Sequence, residues 1–161
     1  MKKLLLLFTV VLFVASGAFA QDFTLEPPYG EVELESGFLP DPYVVEILAG
    51  GSVDLGRSRV SRLPRGATGY VASAPDLNLI YDAGGFDLTI RVRGYGEDTV
   101  LLVNDPEGRW YFNDDNEDFE DGDWLDPSIT IVRPLSGLYN IWVGTYSNTD
   151  FVEVDLEITE M

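Results

Sequence analysis

Residues 86–93 read FDLTIRVR, and this short stretch decides the fold class. Its four apolar residues occupy every second position, with polar or charged residues between them. A period of two is typical of a β-strand that buries one face and exposes the other to water. Residues 152–159, VEVDLEIT, follow the same pattern, and residues 139–143, YNIWV, alternate in a similar way. Strands of this kind indicate antiparallel sheets.

Further short segments rich in β-branched and aromatic residues lie between turn signals such as Gly-Gly and Asp-Pro-Glu-Gly. They are predicted to be strands as well: 43–48, 52–55, 69–72, 77–81, 99–103, 110–112 and 129–132. Many short strands separated by tight turns predict an all-β fold, an antiparallel β-sandwich of jelly-roll type with about eight to ten strands. We assign residues 43–161 to a single domain. Residues 21–42 are read as an extended lead-in that could add an edge strand around residues 32–34.

The first twenty residues are predicted to be a secretory signal peptide rather than part of the fold. They contain two lysines, an apolar run over residues 4–14 and the small-residue motif Ala18-Phe19-Ala20. The apolar run is too short for a membrane-spanning helix, which needs about 20 apolar residues. We therefore expect an exported protein, periplasmic or secreted, whose mature chain begins at Gln21 and is not inserted in a membrane.

Composition excludes several kinds of chemistry. The chain has no His and no Cys, and its only lysines are Lys2 and Lys3 in the predicted signal peptide. Triads based on His, Ser–Lys dyads, Schiff bases and His- or Cys-ligated zinc therefore have no side chains to use. Removal of the two lysines changes the net charge from −18 to −20. So acidic a chain repels phosphates, which argues against nucleic acid as a partner.

Residues 104–126, NDPEGRWYFNDDNEDFEDGDWLD, hold ten carboxylates opposed only by Arg109. A hard cation with oxygen ligands would hold such a segment in place, and Ca²⁺ takes six to eight oxygens. The alternative is a solvated acidic loop without metal. The segment is not an EF-hand, because Phe119 replaces the required Gly and Leu125 replaces the bidentate Glu.

The order of motifs resembles the bacterial pre-peptidase C-terminal (PPC) domain, a β-sandwich module of exported proteins. The similar segments span roughly residues 40–160 and read GYVASAPD (69–76), DTVLLVNDPEG (98–108), WY (110–111), NDD (113–115), DPSI (126–129) and SGLYNIWVGTY (136–146). The resemblance implies a non-catalytic accessory or binding module, often one that binds Ca²⁺. Residues 116–125 form a longer and more acidic loop than the family pattern has.

The resemblance also suggests which residues would form the site. The family's Asp pair corresponds to Asp114 and Asp115, and its acid before a strand corresponds to Asp98. We expect a Ca²⁺ site built from these residues together with a strand-edge amide and acids of the long loop. The full set of candidate metal ligands is Asp98, Asn104, Asp114, Asp115, Asp118, Asp121 and Asp123.

Aromatic side chains near the acids are the second candidate feature. Trp124 lies in a polar loop, where a ring could stack on a sugar or cover the core. Trp110 and Trp142 fit packing positions of a sandwich better. We therefore name Trp124 as the candidate ligand-binding residue.

Three classes of function follow from these observations. The first is an exported, Ca²⁺-stabilised, non-catalytic module that binds an envelope or extracellular polymer, either polysaccharide or protein, or acts as an accessory domain. The second is a hydrolase that uses a pair of carboxylates facing each other across a groove. The third is a purely structural acidic envelope protein.

Overall fold

The computed structural model describes residues 21–58, 63–116, 124–147 and 150–160. None of the helical structure in these ranges is long and apolar enough to cross a membrane. A short 3-10 helix covers Leu55–Arg57. The strands are β1 (Glu31–Glu35), β2 (Tyr43–Ala49), β3 (Val53–Asp54), β4 (Tyr70–Val71), β5 (Leu77–Asp82), β6 (Leu88–Arg93), β7 (Thr99–Asn104), β8 (Trp110–Asn113), β9 (Ser128–Ile131), β10 (Gly137–Thr145) and β11 (Val152–Thr159).

These strands form two sheets. In the first sheet β10 is the central strand: it pairs with β5, β7 and β4, and the sheet continues from these to β1, β8 and β3. The second sheet has the order β2–β11–β6–β9. Every pair is antiparallel except β1–β5, which is parallel. The predicted all-β sandwich is confirmed, with eleven strands in the described ranges rather than eight to ten.

The main core fills the space between the two sheets, as the period of two predicts. In β6, Leu88, Ile90 and Val92 are at most 1 % exposed, whereas the residues between them face outward. Phe86 departs from the pattern: it lies before the strand and is 57 % exposed. The alternation therefore identifies the buried face correctly and overestimates the length of the strand by one apolar position.

A second, smaller core covers the outer face of the first sheet. It contains Leu55, Val71, Val100, Leu102 and Trp142, all buried. The rings of Trp110 and Trp142 pack with their centroids 5.3 Å apart. Ala67 and Phe112 pack against this same cluster. Because both faces of β10 are covered, its residues are buried from Tyr139 to Thr145 without alternation.

Candidate functional site

The pairing of β7 with β8 brings three of the predicted metal ligands to one end of the sandwich. Asp98 directly precedes β7, and Asp114 and Asp115 directly follow β8. Because these strands are antiparallel, the start of one lies beside the end of the other, with Leu101 opposite Asn113. Burial raises the pKa of Asp98, and the negative charges of Asp115 and Asp114 raise it further. Asp98 is therefore close enough to the pair for the charges of both residues to act on it.

Asp114 is a partly buried member of this acidic end. Its pKa is raised by burial and by the charge of Asp115, while its own backbone N–H and that of Asp115 act in the opposite direction. Asp114 is partly buried and Asp115 is exposed, and their carboxylates are hard oxygen donors of the kind that suit Ca²⁺. Within the described ranges, however, no three acidic side chains come close enough to hold an ion by themselves. The donor chemistry fits Ca²⁺, and additional oxygens are needed to complete a site.

The ends of the long acidic loop are tied together beside this cluster. The N–H of Asn116 donates to the carbonyl oxygen of Trp124 over 2.9 Å. The predicted ligands Asp118, Asp121 and Asp123 fall in residues 117–123, outside the described residues. The side chain of Trp124 is 52 % exposed, as a ligand-binding role requires.

Tyr146 is a second half-exposed aromatic residue at the acidic end. Its N–H donates to the carbonyl oxygen of Asp98 over 2.9 Å, and its side chain is 42 % exposed. The sequence pattern placed Tyr146 at the end of a strand motif and gave no reason to connect it with Asp98. The connection arises because Thr145 of β10 lies opposite Thr99 of β7.

Asn104 does not join these residues. It is the last residue of β7 and lies opposite Trp110, so the full length of the strand separates it from Asp98. Its side-chain N–H donates to the carbonyl oxygen of Arg109 over 3.1 Å. The sequence predicts Asn104 as a metal ligand, but Asn104 lies at the opposite end of β7 from Asp98. There it helps to close the turn between β7 and β8.

That turn is organised by Asp105, which is only 4 % exposed. Its Oδ1 accepts hydrogen bonds from the N–H groups of Glu107 (2.9 Å) and Arg109 (2.8 Å). Its Oδ2 accepts from Nε of Arg109 (2.9 Å) and from the hydroxyl of Tyr111 (3.2 Å). Asp105 belongs to the acidic stretch of residues 104–126, but its carboxylate stabilises a turn of the fold.

The structure also contains a groove that the sequence reading missed. It has a volume of about 600 Å³ and lies over β2 and β11. The polar side chains that line it are those of Tyr29, Tyr95, Glu46, Glu153 and Asp155. The acids are the outward-facing positions of the strand patterns, so the alternation could have identified them as one surface. The tyrosines come from distant loops and could not be placed beside them.

Two acids of the groove face each other across paired strands. Glu46 of β2 lies opposite Asp155 of β11, and Asp155 lies opposite Arg93 of β6. Like charges directly opposite one another destabilise an antiparallel pair unless something compensates them. The hydroxyl of Tyr95 donates a hydrogen bond to Asp155, and this bond raises the pKa of Tyr95. The groove thus combines carboxylates with a phenol that stays protonated.

A comparison of the chain with protein-family models found no match, and a comparison with curated protein sequences found none either.

Proposed function

We propose that this protein is an exported, non-catalytic β-sandwich module that binds a polymer and is stabilised by Ca²⁺. The observation that carries the proposal is the groove over β2 and β11, which is open to solvent and combines aromatic rings with hydrogen-bonding groups. The resemblance of the sequence motifs to the pre-peptidase C-terminal domain is a second reason for this proposal.

The chemistry of the groove favours an uncharged polysaccharide or a basic polypeptide. Tyr95 is 74 % exposed, so its ring is available for stacking on a sugar or on a cationic side chain. Carboxylates accept hydrogen bonds from sugar hydroxyls and pair with cationic groups. An anionic polymer would be repelled by the three acids and by the net charge of the chain.

Calcium would act at the other feature, the acidic end. Asp98, Asp114 and Asp115 would supply carboxylate oxygens, and acids of residues 117–123 or backbone carbonyls would supply the rest. A bound divalent cation would remove the repulsion that raises the pKa of Asp98 and of Asp114. It would thereby hold the acidic loop against the ends of β7 and β8.

Thermal unfolding of residues 21–161 tests the metal. A ligand that binds only the folded state stabilises it by about 2.7 kcal/mol at 100 times its dissociation constant, so the midpoint should rise with Ca²⁺ and fall back with chelator. The double substitution Asp114→Asn and Asp115→Asn should abolish this shift, whereas Glu153→Gln should retain it. An unchanged midpoint in wild-type protein would remove Ca²⁺ from the proposal.

Sedimentation with insoluble polymers tests binding. We expect the protein to bind an insoluble neutral polysaccharide or collagen, and Tyr95→Ala to weaken that binding at least tenfold. Trp124→Ala tests whether the acidic end takes part. Phe86→Ala is the matched control, because Phe86 is also an exposed aromatic residue (57 %, against 74 % for Tyr95) but lies outside the groove. Equal binding by wild type and Tyr95→Ala would remove the groove from the proposal.

One observation favours a carboxylate-pair hydrolase as the second candidate. Glu46 and Asp155 face each other across β2 and β11 inside the groove. Retaining glycosidases place their two carboxyl groups about 5–5.5 Å apart, a separation that directly opposed residues of an antiparallel pair can reach. Release of reducing ends from a bound polysaccharide, lost in Glu46→Gln and Asp155→Asn, would establish hydrolysis. Binding without release would support the non-catalytic module.

A further inference from the structure

Gln21 is held inside the fold although it stands at the start of the predicted mature chain. It is 6 % exposed. The hydroxyl of Ser58 donates to its side-chain oxygen Oε1 over 3.3 Å. The following N–H, that of Asp22, donates to the carbonyl oxygen of Ser73 over 2.8 Å. The first described residues are therefore anchored to loops beside the second core.

One atom of the Gln21 side chain is buried without a hydrogen-bond partner among the described residues. The side-chain nitrogen Nε2 of Gln21 is buried, and no described atom is placed to accept a hydrogen bond from it. A buried donor without an acceptor loses its hydrogen bonds to water and gains nothing in return, which destabilises the folded state. The carboxamide of Gln21 therefore fits its surroundings poorly: its oxygen accepts from Ser58, but its nitrogen has no acceptor among the described residues.

We propose that Gln21 is a modification site and that the mature chain begins with pyroglutamate. This rests on the proposed export, because cleavage after Ala20 makes Gln21 the N-terminal residue. Its free α-amine attacks the side-chain carbon Cδ, a new N–Cδ bond closes a five-membered lactam, and the Cδ–Nε2 bond breaks. Ammonia leaves with Nε2 and takes up the proton released by the α-amine. No oxidant or other co-reactant is needed.

Cyclisation removes the one side-chain atom of Gln21 that the described residues leave without a partner. The oxygen to which Ser58 donates is kept as the lactam carbonyl, which is still an acceptor. Nε2, whose N–H groups have no acceptor among the described residues, is the atom that leaves as ammonia. The reaction also removes the positive charge of the α-amine, which would otherwise have to stay hydrated beside a buried residue. The ring forms on the newly cleaved chain, and the fold then encloses a residue without an unsatisfied amide.

Mass spectrometry of the exported full-length product is the first test. We expect a chain that starts at Gln21, is lighter than the unmodified sequence by one ammonia and resists N-terminal sequencing. A chain that starts at Gln21 with a free amine would overturn the modification and leave export intact. A chain that retains residues 1–20 would overturn both. Gln21→Ala, which cannot cyclise, should begin with a free amine and serves as the control.

Thermal unfolding then separates a fitted modification from an incidental one. The open form can be made from a cleavable fusion that leaves Gln21 first, and it separates from the closed form by its extra charge. We expect the closed form to unfold about 3 °C higher, because it lacks the unsatisfied buried donor. Equal midpoints would overturn the claim that the fold accommodates the closed form better.

Discussion

Asp76 is a buried acid, 3 % exposed, that connects the lead-in to the central strand. Its backbone N–H donates to the carbonyl oxygen of Ile141 (2.7 Å), and its own carbonyl oxygen accepts from the N–H of Tyr29 (3.1 Å). Its side-chain Oδ2 accepts from the N–H of Val143 over 2.7 Å. Burial raises the pKa of Asp76 to about 7, and the hydrogen bond from Val143 opposes that rise. The folded state therefore binds a proton at Asp76 more tightly than the unfolded state does.

The raised pKa makes stability fall as the pH rises. An acid whose folded pKa is above its unfolded value of 3.8 contributes most below that value, and the contribution is lost as the pH passes about 7. We expect Asp76→Asn, which stays neutral, to raise the free energy of unfolding at pH 8.5 by about 4 kcal/mol and to leave it nearly unchanged at pH 4. Denaturant titration at the two pH values measures this.

Glu97→Gln, at an exposed position, is the control for the loss of one negative charge. If Asp76→Asn and Glu97→Gln change the free energy of unfolding equally at both pH values, the burial of Asp76 does not cause the pH dependence of stability. Asp76 ends the short segment Ala74-Pro75-Asp76, whose composition is typical of a turn in which an acid faces water. Its burial depends on the packing of the lead-in and of β10 around it, which no local pattern encodes.

At the scale of elements, the turn between β7 and β8 depends on the four hydrogen bonds that Asp105 accepts. We expect Asp105→Ala to lower the free energy of unfolding by about 3 kcal/mol, because it leaves several donors without an acceptor. Glu107→Ala is the matched control in the same turn. Its side chain is 62 % exposed, so its loss should cost less than about 0.5 kcal/mol. Denaturant melts compare the two, and similar losses would contradict the role given to Asp105.

Gly144 lets β4 approach the central strand β10 closely. A Cβ at Gly144 would overlap the carbonyl oxygen of Tyr70, an atom of the backbone that cannot turn aside. We expect Gly144→Ala to cost more than about 3 kcal/mol or to prevent folding. Gly85→Ala is the control, since a Cβ there meets nothing within 4 Å. Circular dichroism and a thermal melt of both variants check this, and an unperturbed Gly144→Ala would show that β4 can move away.

The sequence predicts best those strands that bury one face and expose the other to solvent. The alternation in residues 152–159 identifies β11 and its buried side, because water on one face enforces a period of two. For β10 the alternation does not predict that both faces of the strand are buried. Trp142 lies in the second core and is still buried, because Leu55 and Val71 pack in the same cluster. Such a cover comes from parts of the chain far apart in sequence.

At the scale of the whole molecule, the order of strands brings the candidate site together only in part. Asp98 is 16 residues from Asp114 and 17 from Asp115 in sequence, and the three meet because β7 and β8 form a hairpin. A hairpin can be predicted from its turn, so this part of the site was within reach of the sequence. The groove was not, because it joins β2 and β11 to Tyr29 and Tyr95 from opposite parts of the chain.

The net charge of −18, or −20 without residues 1–20, makes salt a global test of stability. Like charges destabilise a compact state, and salt shortens the range of their repulsion from about 30 Å at 0.01 M to about 3 Å at 1 M. We expect the unfolding midpoint of residues 21–161 to rise by several degrees between these NaCl concentrations. A fall would show that ion pairs such as Arg91–Glu157, partly buried and at 2.5 Å, outweigh the repulsion.

Salt also separates general screening from a specific cation. CaCl₂ at about 1 mM hardly changes the Debye length, so any rise of the midpoint at that concentration reports binding rather than screening. We expect the double variant Asp114→Asn and Asp115→Asn to lose the rise in CaCl₂ and to keep the rise in NaCl, because it removes only two of the many carboxylates. If the double variant lost both, repulsion at the acidic end would dominate the electrostatics of the whole molecule. If it kept both, Ca²⁺ would bind elsewhere on the chain.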